Sequence, residues 1–117
     1  MKLKITEKYN AVVFEIKGKL LGGPEATELN DSIKKYLEEG KKNIVIDLSG
    51  VTYVNSTGMG TLIRNYTTVM NSGGKLKLAS INERMRGLLS ITKLNQIFEI
   101  YDTVEDAVNS FGQVASV

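Results

Sequence analysis

At 117 residues, with 42% hydrophobic and 24% charged side chains, the chain has the size and composition of one soluble globular domain, able to bury roughly two-thirds of its unfolded surface. Its net charge of +2, carried by lysines spread along the chain, leaves no electrostatic footprint for nucleic acid. The absence of both cysteine and histidine excludes Ser-His-Asp and Cys-His catalysis, thiolate chemistry, zinc sites built on those ligands and a histidine phosphorelay, and no metal or cofactor is expected.

The opening MKLKITEKYN lacks an apolar segment of signal-peptide length, and no apolar run approaches the ~20 residues of a membrane span, so a cytoplasmic protein without membrane insertion is expected. Leu3 and Ile5, then Val12, Phe14 and Ile16, form two strand-like runs separated by Glu7-Lys8-Tyr9-Asn10, which predicts an antiparallel hairpin. Residues 18–23 read as a loop whose Leu20 and Leu21 tuck back onto the core. Pro24 suits the first position of a helix, where its missing N–H costs nothing. Ala26, Leu29, Ile33 and Leu37 then recur at helical spacing, with Gly40 as a left-handed cap. Ile44-Val45-Ile46, bounded by Asn43 and Asp47, predicts a central strand buried on both faces.

A short loop then leads to residues 55–60, where a new helix begins. Met59, Leu62, Ile63, Tyr66 and Met70 define its apolar stripe, and Gly73-Gly74 close it. Leu76 and Leu78 alternate with Lys75 and Lys77, a strand with one face toward the core. Asn82 is placed to cap a short helix carrying Met85, Leu88 and Leu89. Residues 97–101 form a last strand or a short extended segment. Thr103 with Asp106 three residues on opens a helix through Ala107, Val108 and Phe111. The order β-β-α-β-α-β-α-(β)-α predicts an α/β fold: a mixed sheet of four to five strands with about four helices, as one domain over residues 1–117.

Asn55-Ser56-Thr57-Gly58-Met59-Gly60 supplies three capping side chains and two glycines at a helix start. Unpaired N–H groups and the macrodipole make such a terminus favourable for negative charge, a phosphate included. The stretch also follows the central strand, beyond whose carboxyl end open α/β sheets place their ligand and partner sites. On the residues alone, two readings stay open for Ser56 and Thr57: simple N-caps, or hydroxyls that receive a phosphate. Met59 reads as core or as a soft interface anchor. Gly58-x-Gly60 lacks the third glycine of a dinucleotide fingerprint, that position being Ile63, so the case for a nucleotide is weak.

Residues 47–60, DLSGVTYVNSTGMG, closely resemble the signature of STAS domains, in particular the bacterial anti-sigma factor antagonists: an acidic strand end, a small loop, an apolar pair, then Asp-Ser-Ser/Thr-Gly-Leu-Gly. The similarity extends over essentially the whole chain, including Gly73-Gly74 and the helix holding Leu88-Leu89. The resemblance implies a STAS-like domain that regulates transcription by partner switching. In that family the serine after the Asp is phosphorylated by a partner that is both anti-sigma factor and serine kinase. The unmodified domain binds this partner and frees the sigma factor; phosphorylation abolishes binding, and a phosphatase restores it.

Carried onto this chain, the phosphorylation site is Ser56, with Thr57 as second candidate, and the partner-binding residues are Asn55, Ser56, Thr57, Gly58, Met59, Leu21 and Gly22. The resemblance implies a regulator, not an enzyme, without direct contact to nucleic acid. Two positions depart from the family. Asn55 stands where the family has Asp, and Leu21, after Gly18-Lys19-Leu20, stands where an Asp often ends the second strand. Both changes remove a carboxylate from the partner face. Two other functions stay open: a STAS accessory subunit or scaffold, in a lipid-transport ABC system or a stress-signalling complex, and a nucleotide or small-ligand sensor using the same helix N-terminus.

Overall fold

In the computed structural model, which describes residues 1–112, a five-stranded sheet runs in the order β1 (Lys2–Lys8), β2 (Ala11–Leu20), β3 (Asn43–Val54), β4 (Lys75–Ala79) and β5 (Glu99–Tyr101). The predicted hairpin is present, with Leu3 opposite Ile16 and Ile5 opposite Phe14, so one face of both strands is apolar. All later neighbours are parallel and joined by helices: α1 (Pro24–Glu38), α2 (Ser56–Asn71) and α3 (Glu83–Ile91), the last followed by a 3-10 turn at Leu94–Gln96. Strand side chains alternate between faces. Val12, Phe14, Ile16, Ile44, Ile46, Leu76 and Leu78 meet these helices in the main core, while Ala11, Val13, Val45 and Ala79 meet Ala107 of α4 (Val104–Asn109) on the other side. This is the expected mixed α/β domain; the predicted domain also takes in residues 113–117, which lie outside the described ones.

Several caps fall where the sequence places them. Pro24 opens α1 and Gly40 follows it with φ +84°. Asn82 Oδ1 accepts the Met85 N–H at 2.8 Å, and Thr103 Oγ1 accepts the Asp106 N–H at 3.0 Å.

Several expectations are corrected. The strand expected at Ile44–Ile46 runs on to Val54, and residues 18–20, read as loop, complete β2 beside it. Ser49-Gly50 signal a turn, but Gly50 is there because the strands approach closely at a register shift: a Cβ would lie 2.7 Å from Lys17 Cγ and 3.2 Å from the Ile16 carbonyl oxygen. Alternation then buries Leu20 and turns Leu21 outward, 43% exposed, instead of tucking both.

In α2, Ile63 and Met70 are exposed although they extend the apolar stripe. The helix packs against the sheet through Met59, Leu62 and Val69 and directly along α1, which brings Thr61 and Asn65 inside; Asn65 Nδ2 donates to Asn30 Oδ1 at 2.8 Å between the two helices. Lastly, β4 is covered on both faces. Lys77 is 4% exposed beneath the C-terminal segment, its Nζ donating to Ser110 Oγ at 2.7 Å, 3.5 Å from Glu99 Oε1 and 4.3 Å from the centre of the Phe111 ring. Phe111 itself lies beyond α4, not within it.

Ile46, fully buried at the centre of the sheet, should cost about 2–5 kcal/mol when changed to Ala, whereas exposed Ile63→Ala should stay within about 0.5 kcal/mol in urea titrations. A loss below about 1 kcal/mol at Ile46 would contradict its central place.

The Glu99 carboxyl is held below its usual range, first by the hydrogen bond from the Tyr101 hydroxyl and then by Lys77. A carboxyl whose pKa falls on folding stabilises above its unfolded value, and that contribution disappears as the pH falls through the lowered one. Acidification through and below the ordinary value of 4.5 should therefore lower the melting temperature more for the wild type than for Glu99→Gln.

Candidate functional site

The residues singled out in sequence converge where β2 and β3 end. Val54 pairs with Leu20, and one residue later the Asn55 N–H donates to the Leu20 carbonyl across 3.4 Å. No loop intervenes: Asn55 stays extended (φ −106°, ψ −177°), and its Oδ1 accepts the Gly58 N–H at 2.7 Å. Asparagine, not a hydroxyl residue, therefore caps α2. Ser56 and Thr57 become the first two helical residues. Both are exposed, and neither side-chain hydroxyl makes a hydrogen bond among the described residues.

The first turn of α2 rests on the end of β2 without a side chain between them. A Cβ on Gly58 would lie 1.9 Å from the Leu20 carbonyl oxygen and 3.0 Å from Val54 Cγ2. Gly22, at φ +89°, leaves the room that Thr57 fills, since a Cβ there would stand 2.3 Å from Thr57 Cγ2. Thr57 is thus held against the β2–α1 turn, in a cleft that also contains Thr27, Thr61 and Arg64. Ser56 borders the other flank, an apolar groove of about 360 Å³ between α2 and α3.

The structure thus brings Leu21, Gly22, Asn55, Ser56 and Thr57 to one end of the sheet, with Leu21 and both hydroxyl residues exposed. Gly58 and Met59 lie beneath them; Met59 is 8% exposed and reaches the groove wall from the core.

Four further residues complete the surface. Tyr53 is exposed just before the turn, with the Arg84 guanidinium 5.7 Å from its ring centre. Nothing local in the sequence announces that long-range pair. Ile63 lines the groove instead of the core. Gly60 lies one helical turn after Ser56, exposed, with nothing within 4 Å of where a Cβ would be. Its position inside a helix, where glycine costs about 1 kcal/mol relative to alanine, is the signal that sequence reading passed over.

The chemistry available here is that of an acceptor. The N-terminal N–H groups of α2 make a favourable setting for an anion on Ser56. No side chain hydrogen-bonds the Ser56 hydroxyl so as to activate it, and no group of three or more metal-ligating side chains occurs among the described residues. The two groups with displaced pKa values are remote: Glu99 on β5, and Lys41 before β3, raised chiefly by its hydrogen bond to Glu7. No described helix is long and apolar enough to cross a membrane.

The sequence and the fold together match a known class. The sequence profile of the STAS domain covers residues 2–107, and the chain belongs to that family. A relative from Thermotoga neapolitana, named as a homolog of the candidate anti-sigma factor antagonist TM1081, is 36% identical over 74 residues, 63% of this chain; the match spans 66% of that relative's length. The anti-sigma-B factor antagonist of Bacillus subtilis is 34% identical over 83 residues, covering 71% of this chain and 75% of its own. Among solved structures, that of TM1081 from Thermotoga maritima superimposes with a TM-score of 0.82 at 26% identity, over 92% of each chain.

The seat of α2 generates the next prediction. Gly58→Ala should destabilise by more than about 2 kcal/mol, because its methyl group meets main chain that cannot rotate away. Asn55→Ala should cost about 1 kcal/mol through the lost cap, while Asn55→Asp, which keeps the acceptor, should cost none. Chemical denaturation of the three variants measures this, and equal losses at Asn55→Ala and Asn55→Asp would mean that the cap is not what holds the turn.

Proposed function

We propose that this chain is an anti-sigma factor antagonist: it binds an anti-sigma factor that is also a serine kinase, and phosphorylation of Ser56 turns that binding off. The observation that carries the reading is the division of labour at the start of α2. Because Asn55 does the capping, Ser56 has no structural hydrogen bond to give up and stands exposed at the first helical position. The names of the Bacillus subtilis and Thermotoga relatives support the antagonist assignment. The protein acts as a switched binding partner and carries no catalysis of its own.

A phosphate on Ser56 adds about −1.5 to −2 charges and three acceptor oxygens, which the free helix terminus accommodates. A docked partner must strip water from that charge, and a buried ion without a counter-charge is costly. Moving a complex from almost fully bound to almost fully free takes about 5.5 kcal/mol of differential affinity, within the reach of one buried phosphate. Asn55 fits this scheme: it retains the capping oxygen of the family's Asp while placing no second negative charge beside the phosphate. Thr57, whose methyl group packs toward Gly22, is the second candidate hydroxyl. A phosphatase that restores Ser56 completes the cycle.

Ser56→Asp should leave the fold intact, since a negative charge at a helix N-terminus is favourable by about 0.3–1 kcal/mol, yet weaken the complex with the purified anti-sigma factor tenfold or more. Ser56→Ala should bind like the wild type and take up no phosphate from ATP and the kinase, with Thr57→Ala as the control. Calorimetry and radiolabel transfer measure the two properties. Labelling of Thr57, or unchanged binding by Ser56→Asp, would remove Ser56 as the switch.

A further inference from the structure

Strand register gathers charges that the sequence spaces apart. Cross-strand partners share a face of the sheet, and in the β1–β2 hairpin Lys2 lies opposite Lys17, Lys4 opposite Glu15 and Lys8 opposite Ala11. Alternation along β2 adds Lys19 to the same face. All five lysines are exposed, on the side of the sheet away from α1, α2 and α3, and α4 covers only the part of that side around Ala11 and Val13. Glu15 is the only carboxylate that the two strands place there; Glu7, opposite Val12, belongs to the helix side and bonds Lys41. Next to Glu15 on β3, Asp47 is buried and accepts the Ser49 N–H. Among the described residues, neither Glu15 nor any of the five lysines forms an ion pair.

Part of this charge has a plain structural use. Lysines on an edge strand keep it from pairing with another sheet, which accounts for Lys2, Lys4 and Lys8 on β1. It does not account for Lys17 and Lys19, because β2 is an interior strand, bonded to β1 on one side and β3 on the other. Lys17 also stands directly opposite Lys2, and like charges so placed destabilise a sheet. Its stem is seated over Gly50, where a Cβ would lie 2.7 Å from Lys17 Cγ. A repulsive pair kept at positions that the fold would fill better with neutral side chains points to a use outside the molecule.

We propose that the open lysine face of the β1–β2 hairpin docks reversibly on an anionic phospholipid surface. The lysines form a two-dimensional array, with neighbours about 5 Å apart across the strands and about 7 Å apart along them. A plane of phosphate headgroups meets all of them at once, whereas a nucleic-acid strand, being a line of phosphates, meets one row. The cations are all lysine, compact charges suited to a diffuse anionic layer; the face carries no arginine for bidentate contacts and no aromatic ring for stacking on bases. It carries no exposed apolar side chain either, so attachment is by charge alone, without insertion, and weakens as salt rises. The inference goes beyond the antagonist reading and is independent of it, since α2 packs on the other side of the sheet.

Flotation of the full chain with vesicles tests this, one set made of phosphatidylcholine alone and one of phosphatidylcholine and phosphatidylglycerol in equal parts, with circular dichroism for fold and melting temperature. The wild type should float with the anionic vesicles, stay in solution with the neutral ones and be released by added salt. Lys17→Gln combined with Lys19→Gln should lower the bound fraction's partition at least tenfold, yet melt at the same temperature or higher, because the repulsion from Lys2 is relieved. Lys34→Gln combined with Lys35→Gln removes the same charge from exposed positions of α1 and should float like the wild type. Equal losses from the two double variants would show that net charge acts and no face is singled out. A wild type that ignores the anionic vesicles, or that binds a DNA duplex more tightly than vesicles offering the same concentration of phosphate, would overturn the proposal, the latter assigning the face to nucleic acid.

Discussion

Everything at the functional end of this molecule depends on one close approach, that of the first turn of α2 to the end of β2. With no side chain at position 58, the helix backbone settles on the Leu20 carbonyl, and the direction in which α2 leaves the sheet is fixed by main chain instead of by adjustable side chains. Asn55 then has a single task, to close the strand-to-helix junction with its side-chain oxygen. The residues on either side inherit their roles from that seat. Thr57 is pressed toward the β2–α1 turn, Ser56 is turned to the α2–α3 groove, and Met59 is drawn down into the core.

In the proposed switch, this division would separate stability from signalling at neighbouring positions. A serine that capped its own helix would lose that hydrogen bond on modification, and the switch would strain the fold each time it was thrown. Here the cap belongs to one residue and the free hydroxyl to the next. The helix terminus supplies a favourable field for a negative charge, and among the described residues no hydrogen bond or ion pair brings a cation to Ser56, so a charge there is tolerated without being neutralised. On the proposed reading, a field of that kind would leave the free protein nearly indifferent to modification and let the consequence appear at a partner.

Much of this was readable before the structure. Pro24, Asn82 and Thr103 declare helix starts through chemistry that acts within four residues, and the alternation in β1 and β2 declares a hairpin for the same reason. Residues 55–60 marked a candidate site through their capping groups and glycines. What stayed hidden is set by contacts distant in sequence. Gly50 looks like a turn until β2 is seen to crowd it, and Lys77 looks like a solvent-facing residue until α4 and Phe111 close over it. Ile63 fits the period of a buried stripe, but a helix that leans on both a sheet and a neighbouring helix buries a rotated face, and Thr61 and Asn65 take the inner positions. The groove is the remainder of that rotation.

The Asn30–Asn65 pair between α1 and α2 has a mechanical consequence for the site above it. Two helices joined only by aliphatic side chains can slide past one another by a fraction of a turn at little cost, since one methyl contact replaces another. An amide pair at 2.8 Å, buried to 1% and 0% exposure, allows no such exchange: a slip would strand two polar groups in an apolar layer. The pair therefore works as a dowel between the two helices, and it keeps the starts of α1 and α2, with Gly22 and Thr57 in contact, level with each other when a load is applied to either.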